Sequence, residues 1–505
     1  MKWRAAAIRG SRTGEGGLEY KWVVLINTTV GVVMASLDNS ILTISLPSIM
    51  HSLNATVVEV MWMVMGYSLV TTALLLPLSR LSDMKGRVKL YNLGFVVFTL
   101  SSVACGLSQA GTELLLFRLV QGTGAALLLS NSTALVTDAF PARQRGFALG
   151  INMLAGTSAF LGGTLVGGVI TQFLGWRYIF FLNLPLGAFA ATWAFLKLRE
   201  IVPPDRQARF DIGGIVTFPL AIGSILAGFT FIVLGKLTDP ITSLLFALGV
   251  ILLGLFFTIE RRVAEPMMDL GLFRIRMFWT SNGSLFLNTL SRGANSFMMV
   301  WYFQMILNDP PALAGLKLIP LTTTIAIVAP ISGRLSDRMG SRRLTTVGLC
   351  ISLSSLLWML TFSGSVPYIN WGLAFVFLGL GNGLFQAPNT SALMGCVPSR
   401  RRGVAAGTRQ LLFNTGQTMA IAVAMMILSV GMSYATLTAV FSGTVHGNLR
   451  LDGLAFMHGL HEVFLVGAVV TIGAIVLSAL RGRDVTAEPE VDLVPEPAVA
   501  EPALV

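Results

Sequence analysis

Runs of about twenty apolar residues, nearly free of charge, recur fourteen times along this chain. A helical run of that length spans a bilayer hydrocarbon core roughly 30 Å thick. In lipid the backbone must satisfy its own hydrogen bonds, so only helices or a closed barrel remain open to it. A barrel would show short alternating segments instead. The runs lie at about 21–46, 58–78, 89–107, 113–137, 146–172, 177–196, 211–234, 239–259, 276–306, 313–334, 344–362, 367–394, 403–433 and 459–480. Only 12% of residues are charged, about half the share that covers a soluble domain.

One short piece occurs twice. Arg80-Leu81-Ser82-Asp83 and Arg334-Leu335-Ser336-Asp337 are identical, and each follows an apolar run and precedes a basic cluster. Pro141, Arg143, Arg145 and Gly146 match Pro398, Arg400, Arg402 and Gly403. By subtraction the offsets are 254 and 257 residues. A duplicated membrane half is the mark of a transporter built from two similar bundles around a central site. The chain then divides into 1–20, a cytoplasmic segment; 21–197, a six-helix bundle; 198–275, linkers and an inserted two-helix hairpin; 276–480, a second six-helix bundle; and 481–505, a disordered tail. The stretch 434–458 is the longest outward loop.

The net charge of +11 does not indicate nucleic acid, because the basic residues sit in short clusters between apolar runs. Of the 35 Lys and Arg, only Arg177, Lys236, Lys317 and Arg450 fall on the side away from the amino terminus, and Arg118, Arg292 and Arg409 fall inside runs. The positive-inside rule therefore places both termini in the cytoplasm of a multi-pass cell-membrane protein. The first residues lack a cleavable secretory signal, so the first helix is read as an uncleaved anchor. Cys105, Cys350 and Cys396 lie in or at the end of apolar runs, which argues against a disulfide framework or a metal site. His51, His446, His458 and His461 show no ligand spacing. No phosphate-cradling loop is present, so ATP drive is not encoded, and without a convergent acid, base or metal cluster no enzyme activity is expected.

Ser79-Arg80-Leu81-Ser82-Asp83-Met84-Lys85-Gly86-Arg87, and its second copy from Gly333 to Arg343, resemble the signature loop of the major facilitator superfamily. Leu37-Asp38-Asn39-Ser40 through Pro47, Arg118 through Gly124, and Gly175-Trp176-Arg177 through Gly187 are similar to motifs of its fourteen-helix drug:proton antiporter branch. The departures are Ser79 for Gly, Met84 for Arg, Ser341 for the second-copy Arg, Thr164 for the proline of the antiporter motif, and Ala159 for an upstream glycine. The resemblance implies an all-α fold of two pseudo-symmetric six-helix bundles plus two inserted helices, fourteen in all. It also implies proton-driven, alternating-access export of hydrophobic or amphipathic molecules, a monomer without cofactor, and a role in multidrug efflux and antibiotic resistance. A dedicated exporter of a metabolite or lipid is the alternative, and a channel or receptor is the other membrane class.

Asp38 is the acidic residue placed near the middle of a run. Desolvation there favours the neutral acid, which makes Asp38 the candidate proton carrier; the alternative is an ordinary partner of a nearby Arg. The resemblance makes Arg118 that partner. Glu59, Glu113 and Glu462 sit at or near run ends, as remoter candidates. Arg292 lies near the centre of the ninth run with no acid one turn away. It either faces the cavity or bonds helix carbonyls and polar neighbours. With Arg118 it outnumbers Asp38, which favours neutral or anionic amphiphiles over dications. Arg409 is close enough to the headgroups to snorkel.

Trp62, Tyr67, Asn131, Asn288, Asn295, Trp301, Tyr302, Gln304, Gln386, Asn389, Gln410 and Asn414 lie in helices that line the cavity in the resembling fold. Aromatic and amide groups together suit large, weakly specified ligands. Asp83, Gly86, Arg87, Asp138, Gly333, Asp337 and Gly340 are the candidate cytoplasmic gates, holding the inside closed through ion pairs; plain topology charge is the alternative. Gly156, Gly163 and Gly167 form a ladder for close helix packing.

Overall fold

The computed structural model describes residues 19–204, 212–263, 268–363, 366–398, 401–442 and 449–482. The expected amino-terminal segment through residue 18 and the tail from residue 483 fall outside them. Among the described residues the chain is helical with no strand. The first group comprises α1 (Tyr20–Leu53), α2 (Val57–Lys85), α3 (Arg87–Leu107), α4 (Gly111–Ala139), α5 (Ala142–Phe173), α6 (Arg177–Phe181) and α7 (Asn183–Lys197). A hairpin follows, α8 (Ile212–Val233) and α9 (Pro240–Glu260). The second group holds α10 (Arg276–Trp301), α11 (Pro311–Lys317), α12 (Ile319–Met339), α13 (Ser341–Met359), α14 (Tyr368–Gly395), α15 (Arg402–Gly431), α16 (Tyr434–Ser442) and α17 (Leu449–Ala479).

Twelve helical stretches among the described residues are long and apolar enough to cross a membrane. Fourteen were expected, and two of the expected runs do not meet this measure of length and hydropathy. The two that fall short are α10 and α13. Helix α10 carries Asn282, Asn288, Arg292 and Asn295 and buries most of its surface inside the protein. A helix shielded by neighbours need not be apolar all round, so a hydropathy test undercounts it. Helix α13 opens on Arg342 and Arg343 and is rich in Ser and Thr.

Helix α1 packs on α4 and α5, α2 on α4, and α3 on α4 and α7; α10 packs on α15 and α17, and α14 on α12 and α13. The duplication is visible in the turns. Gly86 (φ 109°) both ends α2 and begins α3, and Gly340 (φ 81°) does the same between α12 and α13. Only glycine takes that backbone without strain, and the two sit 254 residues apart.

Three expected elements differ. The sixth run breaks at Leu182 into α6 and α7, because Pro185 has no N–H to offer the carbonyl of Phe181. The ninth run ends as a π-helix over Tyr302–Ile306, and the tenth starts as the separate short α11. The expected outward loop contains α16 and the start of α17, with 443–448 outside the described residues. Leu437, Val440 and Phe441 hold α16 down, Phe441 stacking 4.0 Å from the Trp301 ring.

Candidate functional site

Asp38 sits near the middle of α1 with 4% of its surface exposed. Its Oδ2 pairs with Nη1 of Arg118 from α4, which is fully buried. Its Oδ1 accepts from Gln121 Nε2 and Asn183 Nδ2, each at 2.9 Å. Arg118 also donates to Gln121 Oε1 at 2.7 Å and to the Met63 carbonyl at 3.3 Å, and its guanidinium lies 4.0 Å over the Tyr67 ring. Asn183 is held in turn by Ser102 Oγ at 3.0 Å. A buried ion pair repays its desolvation only when further hydrogen bonds fill the remaining sites. Both carboxyl oxygens of Asp38 have partners here, from α4 and α7, while Nη2 of Arg118 is buried without one. Gln121 and Asn183 were not singled out from sequence, although both lie inside the quoted motif stretches; pairing across helices is invisible to spacing along one.

The neighbours of Asp38 line a cavity between the two helix groups, of about 720 Å³ counting its open mouth. Asn39, Ser40 and Thr43 of α1 and Phe160 and Thr164 of α5 face Arg292, Ser296 and Phe297 of α10, Leu321 of α12 and Gln417 of α15. Of the expected binding residues, Arg292 lines this cavity. Gln410 donates to Asn414 Oδ1 at 2.8 Å on the α15 face that leads, at helical spacing, to Gln417. Tyr67 belongs to the Asp38 site. The others, Asn288 and Gln386 apart, have partners elsewhere. Trp62 donates to Thr230 of α8 at 3.1 Å, and Asn131 to the Leu127 carbonyl at 2.8 Å. Asn295 approaches Met359 Sδ, Trp301 packs on Phe441, and Asn389 bonds the Ser281 carbonyl and Arg481. Tyr302 stacks with Trp371 at 5.0 Å. Asn288 is buried in α10 and Gln386 half-buried in α14.

Farther from the signature loops, the groups close on each other. Gln304 donates to the Ile44 carbonyl at 2.8 Å, and the Ala312 N–H to Gln172 Oε1 at 3.1 Å. Gly168 and Gly315 let backbones meet: a Cβ on Gly315 would lie 2.8 Å from the Thr164 carbonyl oxygen. Lys317 pairs with Asp309 at 2.5 Å beside this contact. The glycine ladder serves a different contact. Gly156 faces Val32, Gly163 faces Leu37 and Ser40, and Gly167 lies against Ile41, all on α1.

At the loop end, Arg87 Nε donates to Asp83 Oδ1 at 2.8 Å and its Nη1 to Asp138 Oδ2 at 2.6 Å. Glu200 accepts from the Lys89 N–H at 3.1 Å, a carboxylate at a helix start where the dipole favours it; sequence reasoning missed it. In the second copy Ser341 stands where Arg87 would be, Gly333 lies 3.7 Å (measured from an ideal Cβ) from Ala387 Cβ, and the Asp337 side chain lies outside the described residues. Glu59 and Glu113 cap the starts of α2 and α4, and Glu462 pairs with His458 at 3.3 Å on an exposed face.

The Major Facilitator Superfamily model matches residues 28–211 and 282–502. The chain belongs to this superfamily. Its members are transporters. The chain is 31% identical over 389 residues to the riboflavin transporter RibZ of Clostridioides difficile, covering 76% of this chain and 83% of that one. It is 32% identical over 418 residues to the multidrug resistance protein Stp of Mycobacterium tuberculosis, covering 81% and 76%. Among solved structures, a bacterial homolog of the human lysosomal transporter Spinster, inward-facing and occupied, superposes with a TM-score of 0.67 over 93% of this chain and 98% of that one. At 17% identity that likeness speaks to fold alone.

Proposed function

We propose that this superfamily member exports amphipathic, drug-like molecules across the cell membrane in exchange for protons, crossing fourteen times with both termini in the cytoplasm. The carrying observation is Asp38, a carboxylate fixed in mid-helix beside Arg118 while the next residues, Asn39 and Ser40, line the cavity. A change in the α1 backbone therefore reaches ion pair and cargo together. With the groups locked far from the loops by Gln304 and Gln172, the pair is closed, which fits a carrier that has released its proton and awaits cargo. Opening that lock and separating Asp38 from Arg118 frees the carboxyl to take a proton from outside. The Arg87 cluster, formed here among α2, α3 and α4 of the first group, holds the cytoplasmic loop that gates the inside. Similarity to a multidrug resistance protein supports broad cargo.

Similarity to the riboflavin transporter favours a second reading, a carrier for one metabolite. The breadth of competing cargo separates the two. The test is uptake of N-phenyl-1-naphthylamine by everted vesicles. Parent vesicles accumulate it under a pH gradient and stop when nigericin collapses the gradient; Asp38→Asn vesicles do not respond. Parent uptake indifferent to nigericin ends the proton-exchange reading.

A further inference from the structure

We infer that the cavity selects organic anions, molecules whose sulfonate, carboxylate or phosphate ester docks on Arg292 while an apolar body lies against Phe160, Phe297 and Leu321. This rests on the export reading, because it assigns the cargo of the same cavity.

Arg292 is 8% exposed and lies near the middle of α10. Among the described residues it makes no hydrogen bond and no ion pair. Its one partner is the Phe160 ring, 5.9 Å from the guanidinium carbon across the seam between the groups. That distance is at the limit of cation–π reach, roughly 6 Å, and an aromatic ring offers no lone-pair acceptor to the five N–H donors. Nothing lining the cavity answers them with charge, since no Asp or Glu is there. Asp38, one residue from the cavity wall, is taken up by Arg118, Gln121 and Asn183. Four of the five lining hydroxyls, Ser296 apart, donate to their own helices: Ser40 to Leu37, Thr43 to Asn39, Thr164 to Leu161 and Thr322 to Ile319.

A guanidinium held without a counter-ion at membrane depth is costly and implies a task. Its planar fork suits a bidentate oxyanion, and the low dielectric around it strengthens the attraction. The same charge repels a cationic cargo, so the site discriminates by sign before shape. The apolar rings opposite supply the area that a small, mostly hydrocarbon body needs.

The experiment uses two probes sharing one aromatic skeleton, 8-anilinonaphthalene-1-sulfonate and the neutral N-phenyl-1-naphthylamine. Each is titrated by equilibrium dialysis against the full chain in phosphatidylcholine nanodiscs, with empty discs subtracted. The parent binds both. Arg292→Gln weakens the sulfonate about tenfold or more and the neutral probe less than about twofold, while Arg292→Lys retains most sulfonate binding. Arg292→Met, with a similar apolar stem, replaces Arg292→Gln if the latter fails to fold. Equal losses for both probes, an unchanged sulfonate affinity, or a parent that binds no sulfonate overturns the inference. Adding phosphatidylglycerol lowers sulfonate binding alike in parent and variant; if it erases only the Arg292-dependent part, the seat belongs to a lipid headgroup and the inference falls. Asp38→Asn leaves the contrast between probes intact, so a failed proton-exchange reading and a failed anion site give different results.

Discussion

Asp38 and Arg292 stand 254 positions apart, the same offset that separates the two copies of Arg-Leu-Ser-Asp. They occupy corresponding places on the first helix of each group, α1 and α10. The charge is inverted and so is its company. Asp38 is enclosed by Arg118, Gln121 and Asn183. Arg292 faces a cavity with a single ring for company. At the offset of 257, Arg118 corresponds to Phe375, a core residue. The loop ends differ in the same sense. Arg87 clasps Asp83 and Asp138 in the first group, whereas Ser341 and Gly395 stand at the matching places in the second. A duplicated scaffold has thus kept its geometry while one half encloses its buried charge and the other presents it. Under the export proposal the first half handles the proton and the second handles the cargo.

The largest effect that sharpens this contrast comes from removing each cation. Arg118→Ala strands a buried carboxylate and costs about 3–5 kcal/mol, whereas Arg292→Ala relieves an unpaired charge and costs nothing. Thermal unfolding in detergent micelles reads both, and equal losses would break the comparison. Next in size is the seam between α1 and α5. Gly163→Ala drives a methyl into Ser40 Oγ, with the Leu37 carbonyl oxygen behind it at 3.2 Å, and lowers stability by about 1–3 kcal/mol. Gly162→Ala, which meets nothing within 4 Å, is neutral or slightly stabilising through helix propensity. Smallest in stability is the clasp. Its side chains are partly exposed, 24% for Arg87 and 15% for Asp138, so Arg87→Gln costs at most about 1 kcal/mol. It nonetheless slows everted-vesicle transport, while Arg342→Gln at the other loop leaves the rate unchanged.

Much of this was legible in sequence because the relevant signals are local. Apolar run length gave the helices, the repeat gave two halves, and one acid among apolar neighbours drew attention to Asp38. Arg118 came from resemblance, not spacing. The lower hydropathy of α10 and α13 goes with burial by neighbouring helices, a tertiary fact. The same reason hid Gln121, Asn183, Glu200 and the backbone contacts of Gly168 and Gly315, whose partners are distant in the chain. Most of the expected amides and aromatics share helices with the cavity yet turn to other neighbours, because a helix places a residue at a depth and leaves its direction to packing. Arg292 was conspicuous for lacking an acid one turn away, and among the described residues no acid from another helix meets it either.

The division of labour stands or falls on proton exchange by the purified protein. N-Phenyl-1-naphthylamine, added to the protein in lightly buffered micelles, is expected to change the number of bound protons in the parent and in Arg292→Gln, and to leave Asp38→Asn unchanged. Proton exchange that persists in Asp38→Asn, or that disappears in Arg292→Gln while the probe still binds, would contradict the assignment of proton and cargo to separate halves.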